Sequence, residues 1–152
     1  MTPNEDLGHL LQHVTSLLAK QSDQVLQEQL GIGYSQLKLL LTLHSRPQLK
    51  QRDIAIELGQ TEASISRQVK LMLRQGMLQV TVNPKNRREH LTTVTVKGLK
   101  LTDASLQALE KFQAPLFSAV GERQRQQLRE ILNDLHTRIC QLDNHAVHHS
   151  TE

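Results

Sequence analysis

The stretch QRDIAIELGQTEASISRQVKLMLRQGMLQVTVNPKNRREH, from Gln51 to His90, constrains this chain more than any other. Ile54, Ala55 and Leu58 recur at i, i+1 and i+4, which gives a short helix one apolar face. Gly59 predicts its end, because glycine accepts a positive φ without a Cβ clash. Thr61 is placed to cap a second helix with its hydroxyl, and Glu62 suits the positive end of that helix's dipole. Ile65, Val69 and Met72 follow at i, i+4 and i+7 and should face a core, while Ala63, Ser64, Arg67, Lys70 and Arg74 take the opposite face. Gly76 ends this helix. Leu78, Val80 and Val82 then alternate with Gln79 and Thr81 at the period of a half-buried strand, and a second strand is expected from Leu91 to Val96. Between them the turn-forming segment from Asn83 to His90 carries three cations at its tip.

Helix, tight turn, helix and cationic hairpin, in that order, can place one helix in a DNA groove and a loop in the next. Short side chains in the first turn let a helix N-terminus approach the floor of the major groove, and Arg can pair with a guanine edge or grip phosphate. A cationic loop suits the narrow minor groove, where negative potential concentrates. The expected DNA-contact set is Thr61, Ala63, Ser64, Ser66, Arg67, Lys70, Lys85, Arg87 and Arg88, with Arg87 entering the groove and Arg88 bracing the wing or holding phosphate. Taken alone, a basic helix stripe is more often a solvated face; the turn before it and the hairpin after it shift the balance to duplex DNA.

In this order, Ile54-Ala55, Leu58-Gly59, Ile65-Ser66-Arg67, Val69, Gly76, the wing from Asn83 to Arg88 and Thr95-Val96-Lys97-Gly98 resemble the MarR (multiple antibiotic resistance regulator) family of winged helix-turn-helix transcription factors. The likeness covers nearly the whole chain. It implies a mainly α fold with a small β-hairpin wing, and N- and C-terminal helices that form a dimerisation region. It also implies control by a small molecule, often phenolic or otherwise aromatic, bound between the dimerisation helices and the winged domain. Where the family usually carries Asp, this chain has Asn83 and Asn86. Those acids are thought to brace the wing through ion pairs, so the substitution predicts a more mobile, more cationic wing and a stronger dependence of binding on salt.

Charge is distributed to match. From Arg46 to Lys100 there are eleven Lys and Arg against four Asp and Glu, and the rest of the chain holds seven against eleven. A positive lobe on an acidic body orients a protein on a polyanion. The only aromatic residues, Tyr34, Phe112 and Phe117, make no stacking platform for single strands. No apolar run is long enough to span a membrane and the first residues, with Glu5 and Asp6, do not read as a secretory signal, so a cytoplasmic protein without membrane contact is expected.

The flanks are long and amphipathic. Leu7, Leu10, Val14 and Leu17 mark a first helix from Asn4 to about Gln29, broken by Gly31 and Gly33, and a leucine-rich helix from Tyr34 to Leu43 closes at Arg46-Pro47. Thr95 can cap a helix from Val96 to Phe117, with an interruption expected near Pro115. A last helix begins at Gly121-Glu122 and carries a near-heptad stripe. The expected partition is a dimerisation helix over 1–33, the winged domain over 34–98, dimerisation helices over 99–144 and a flexible tail over 145–152. Leu7, Leu10, Val14, Leu128, Leu132, Leu135, Ile139 and Leu142 are the expected seam of a homodimer, whose two recognition helices demand a pseudo-palindromic operator.

Other sites are weaker. His9 and His13 stand at i and i+4, with His44 ending the second helix, but no Glu-rich or Cys partner accompanies them, and eight histidines make one such spacing unsurprising. Cys140 is the single cysteine and lies near Arg138; an inert small residue is its plainer reading than a redox sensor. No cofactor is called for. No nucleophile elbow, phosphate loop or metalloprotease motif supports an enzyme. The remaining alternatives are a metal- or redox-responsive regulator of the same fold, and a winged helix used for protein assembly without an operator.

Overall fold

The computed structural model describes the backbone of residues 3–148 and the side chains of residues 6–141. Its elements run α1 (Pro3–Leu30), α2 (Tyr34–Ser45), α3 (Gln51–Leu58), α4 (Glu62–Arg74), β1 (Leu78–Asn83), β2 (Asn86–Val94), α5 (Val96–Ser118) and α6 (Glu122–His148). The chain divides into two compact units, Met1–Phe112 and Gln113–Glu152.

The first unit holds the core. Leu26 of α1, Ile32, the α2 residues Leu37, Leu39, Leu40 and Leu43, Ile54 of α3, and Ile65 and Met72 of α4 are all fully buried. Each such side chain removed from water contributes about 1.5–3 kcal/mol, so the helix-turn-helix is fixed by what it buries rather than by its short helices' own propensities. Of α1, the C-terminal part alone enters this core, through Ser22 and Leu26; towards its start, Leu7, Leu10, Val14 and Leu17 lie exposed.

Local chemistry explains the boundaries. Gly31, Gly59 and Gly76 adopt φ of 65°, 62° and 72°, and each follows a helix. Arg46, held out of helical geometry by Pro47, has φ −141° and ψ 73° and ends α2. Gly98 is required by proximity instead: a Cβ there would stand 2.3 Å from the Met77 carbonyl oxygen.

Two expectations are corrected. α5 runs through Pro115 without interruption, one more turn following to Ser118. The proline withholds an N–H from the carbonyl of Lys111, but both residues are exposed near the helix end, where water can take the orphaned acceptor. The hairpin's apolar alternation does not face the core either. Leu78 is buried, but Val80 and Val82 are 55% and 51% exposed, because β1 leaves the body after its first residue.

The second unit comprises the end of α5 and α6. Leu128, Ile131, Leu132 and Ile139 are exposed along α6 and Leu135 is half-buried; the side chain of Leu142 lies outside the described residues. Helix α6 extends to His148, and residues 149–152 of the expected tail lie outside the described residues.

Candidate nucleic-acid interface

The turn between α3 and α4 is built by two caps. Gly59 N–H bonds back to Ile56 O and Gln60 N–H to Ala55 O, at 3.2 and 2.9 Å. Thr61, at φ −79° and ψ 149°, accepts a hydrogen bond from the Ser64 N–H at 3.1 Å, so its hydroxyl serves as the N-cap of α4. At the other end Lys97 Nζ donates to the Gln75 carbonyl oxygen at 2.7 Å, putting a cation on the negative end of the helix dipole.

Along α4, Ile65, Val69 and Met72 are buried and Ala63, Arg67, Lys70 and Arg74 are exposed. Their spacing of four, three and four residues makes one stripe. Ser64 and Ser66 are half-buried beside it. Among the described residues, none of Arg67, Lys70 and Arg74 is engaged in an ion pair, in contrast to Arg46, which pairs with Glu57.

The wing is tighter than expected. β2 starts at Asn86, so the connecting turn is Pro84-Lys85, and Arg87 and Arg88 belong to the strand itself. Val82 pairs with His90 but Asn83 pairs with Asn86, which leaves Arg87, Arg88 and Glu89 as an unpaired excursion of β2. A bulge of this kind turns side chains away from the ladder. Lys85, Arg87 and Arg88 are all exposed.

The brace expected to be missing is supplied by amides. Asn83 Nδ2 donates to Glu89 Oε2 at 2.7 Å and its Oδ1 accepts from the Lys85 N–H at 2.9 Å, while Asn86 Oδ1 accepts from the Arg88 N–H at 3.2 Å. Asn favours such local side-chain-to-backbone bonds in turns.

Sequence reasoning missed a polar cluster behind the stripe. Ser35, Gln60, Ser64 and Gln68 are half-buried and hydrogen-bonded to one another across α2, the turn and α4. Gln60, Ser64 and Gln68 stand at i, i+4 and i+8, a helical spacing that could have marked them, but nothing in the sequence ties them to Ser35, 25 residues before Gln60.

The weaker candidates do not converge. His9 and His13 are exposed on α1 and His44 is exposed near the end of α2; among the described residues no three His, Cys, Asp or Glu side chains gather as a metal site. Cys140 is exposed, with its Sγ 3.6 Å from His136 Nε2. Arg138 is turned to Asp134 at 2.8 Å, whose hydrogen bond and charge raise the guanidinium pKa. On the second unit, a cleft of about 440 Å³ is lined by Phe117, Glu122, Arg125, Leu128, Arg129, Leu132 and Asn133. Arg125 Nε is buried there without a hydrogen-bond partner. Among the described residues no helix is long and apolar enough to cross a membrane.

A capped helix-turn-helix with a cationic exposed stripe, followed by a hairpin bearing an unpaired Arg-Arg excursion, defines a winged helix-turn-helix fold. Residues 32–90 match the model of the MarR family. A curated relative, the HTH-type transcriptional regulator BilQ of Clostridium symbiosum, is 24% identical over 105 residues, covering 69% of this chain and 73% of BilQ. The solved structure of MarR superposes with a TM-score of 0.76 at 22% identity, covering 89% of this chain and 94% of that one. The Staphylococcus aureus MepR–DNA complex gives 0.68 at 24% identity, covering 86% and 96%. CouR of Rhodococcus jostii, bound to p-coumaroyl-CoA, gives 0.72 at 20% identity, covering 89% and 94%. The family match thus covers the helix-turn-helix and the wing, and over most of its length the chain shares the fold of these solved structures.

Proposed function

We propose that the protein is a homodimeric, sequence-specific binder of double-stranded DNA that represses transcription and is released by a small-molecule effector. The observation that carries the reading is the pairing of two cationic surfaces on one unit: the α4 stripe of Ala63, Arg67 and Lys70, and the exposed Arg87-Arg88 excursion of the wing with Lys85 at its turn. The stripe supplies base and phosphate contacts in the major groove, and the wing supplies charge to the minor groove. Thr61 serves the interface as a cap, and Ser64 and Ser66 border it.

Dimerisation explains the apolar faces. Leu7, Leu10 and Val14 on α1, and Leu128, Leu132 and Ile139 on α6, are at least 40% exposed within the single chain. Burying such stripes in a second copy is the ordinary remedy for exposed apolar patches. In this partition residues 1–33 and 99–144 dimerise and residues 34–98 bind DNA. Two recognition helices then meet a pseudo-palindromic operator in the cytoplasm.

The cleft at α6 suits a largely apolar organic anion, since Phe117, Leu128 and Leu132 give it an apolar wall and Arg129 a cation, while Arg125 is ion-paired to Glu122 in the same lining. Leu128 and Leu132 also belong to the proposed seam, so a ligand there acts on dimer geometry. It lowers DNA affinity only by binding the released state more tightly than the bound one.

Titration of the protein into a duplex from upstream of its own gene, and into a shuffled duplex, tests this reading over a range of salt. At least about a thousandfold preference for the upstream duplex supports a specific operator. Equally weak binding to both, with a steep salt slope, contradicts it, and no binding even at low salt favours the protein-assembly alternative.

A further inference from the structure

We infer that Ser35, Gln60, Ser64 and Gln68 form a positioning lock that sets the rotation of α4 about its own axis, and so determines which bases its exposed stripe meets. The inference rests on α4 being the base-reading helix. Ser35 Oγ donates to Gln68 Oε1 at 3.2 Å. Gln68 Nε2 donates to Gln60 Oε1 at 2.7 Å and to Ser64 Oγ at 3.3 Å. Gln60 Nε2 donates to Ser35 Oγ at 2.6 Å, and Ser64 Oγ donates to Gln60 Oε1 at 3.2 Å. The circuit is closed. Both hydroxyl hydrogens are committed, and both amides use nitrogen and oxygen. Turning over either amide alone would oppose like groups across the 2.7 Å contact, so the circuit stays closed only if all four side chains keep, or together reverse, their direction.

The lock does what the core behind it cannot. Ile65, Val69 and Met72 hold α4 to the body by apolar burial, which is not directional. Hydrogen bonds weaken steeply as their angles open, and base readout needs contacting groups held within about 10–20° of the productive geometry. Four side chains from α2, the turn and α4 therefore define the angle at which Arg67 and Lys70 are presented. The N-terminus of α2 is itself tied down: the Tyr34 N–H donates to Asp23 Oδ1 of α1 at 2.8 Å, next to Ser35. Ser64 changes role in this account. Its hydroxyl hydrogen goes to Gln60, so it is a positioning residue rather than a donor to DNA.

Ser35 provides the sharpest test, because it lies on α2 outside the DNA-contact set. A preferred duplex is first selected from a randomised pool with the unaltered protein; affinities for it and for a shuffled duplex are then compared among the unaltered protein, Ser35→Ala, Gln68→Met and the double variant. The lock predicts that each single variant loses preferred-duplex affinity, by about tenfold for Gln68→Met and less for Ser35→Ala, with shuffled-duplex affinity within about twofold. The double variant should be no worse than Gln68→Met, since both substitutions open one circuit. Discrimination that survives in both singles, equal losses on both duplexes, or multiplying losses in the double variant would overturn the lock. If Gln68→Met does not fold, Ser35→Ala decides alone. A preference near one in the unaltered protein sinks the reading of α4 itself; a strong preference that both variants keep sinks only the lock.

Discussion

Asn83 and Glu89 are joined across the neck of the wing by a 2.7 Å hydrogen bond from the Asn83 side-chain amide to Glu89 Oε2. The same Asn83 side chain accepts from the Lys85 N–H, so one neutral residue holds both the turn and the returning strand. Asn83→Asp, which installs the acid usual in the family, is expected to weaken binding here. It removes the donor, faces a second carboxylate to Glu89 and subtracts positive charge from the wing. A loss of about 1 kcal/mol in affinity for the preferred duplex is predicted, read by titration at fixed salt. Equal or tighter binding by the Asp variant would show that the amide brace is dispensable.

Arg67 is exposed in the middle of the α4 stripe and has no ion-pair partner among the described residues. Arg67→Ala should cost about 1–3 kcal/mol in preferred-duplex affinity. If the guanidinium reads a base edge, preference relaxes at one position of the half-site in a repeated selection. If it grips phosphate, all duplexes weaken alike and the salt slope falls by about one. An unchanged affinity removes Arg67 from the interface.

Gly98 lies where the start of α5 crosses the backbone before β1. A Cβ added there would meet Met77 O at 2.3 Å and Val94 Cγ1 at 2.6 Å, and the first of these is main chain that cannot swing aside. Gly98→Ala is predicted to destabilise the protein by about 1–3 kcal/mol, seen as a lower urea midpoint with an unchanged slope. Its midpoint should fall well below that of Gly8→Ala, since a Cβ at Gly8 meets nothing within 4 Å.

Leu10 and Ile139 are each 56% exposed in the single chain. Leu10→Glu and Ile139→Glu therefore touch no core side chain of the subunit, but would bury a charge in the proposed seam, at a cost of several kcal/mol. Sedimentation should show a shift towards folded monomer with an unaltered helical spectrum. A dimer as tight as the unaltered one would place the seam elsewhere.

Much of this architecture is legible in the chain because single residues enforce it. Gly59 and Gly76 both take the positive φ that their positions after apolar helical runs predict, Thr61 caps α4, and the Thr95 hydroxyl accepts from the Gly98 N–H at the start of α5. What escapes is set by neighbours distant in sequence. Val80 and Val82 have strand periodicity, but whether a pleated face is covered depends on how far the hairpin reaches beyond the body. The early start of β2 at Asn86 depends on the Asn83–Asn86 pairing and its register shift, which no propensity encodes. Pro115 escapes the usual rule because the helix that contains it is nearly over. Within the candidate interface the exposed cations follow from helical spacing, but the commitment of Ser64 to Gln60 depends on Ser35, on another helix.

Hydroxyl-radical footprinting of the preferred duplex tests the central claim most directly. Two recognition helices related by a two-fold axis predict two protected half-sites, centred about 34–36 Å or 10–10.5 base pairs apart, with symmetry-related boundaries on the two strands. A single protected segment without two-fold symmetry, or uniform protection that shifts with the duplex end, would contradict a homodimer reading an operator through α4 and the wing.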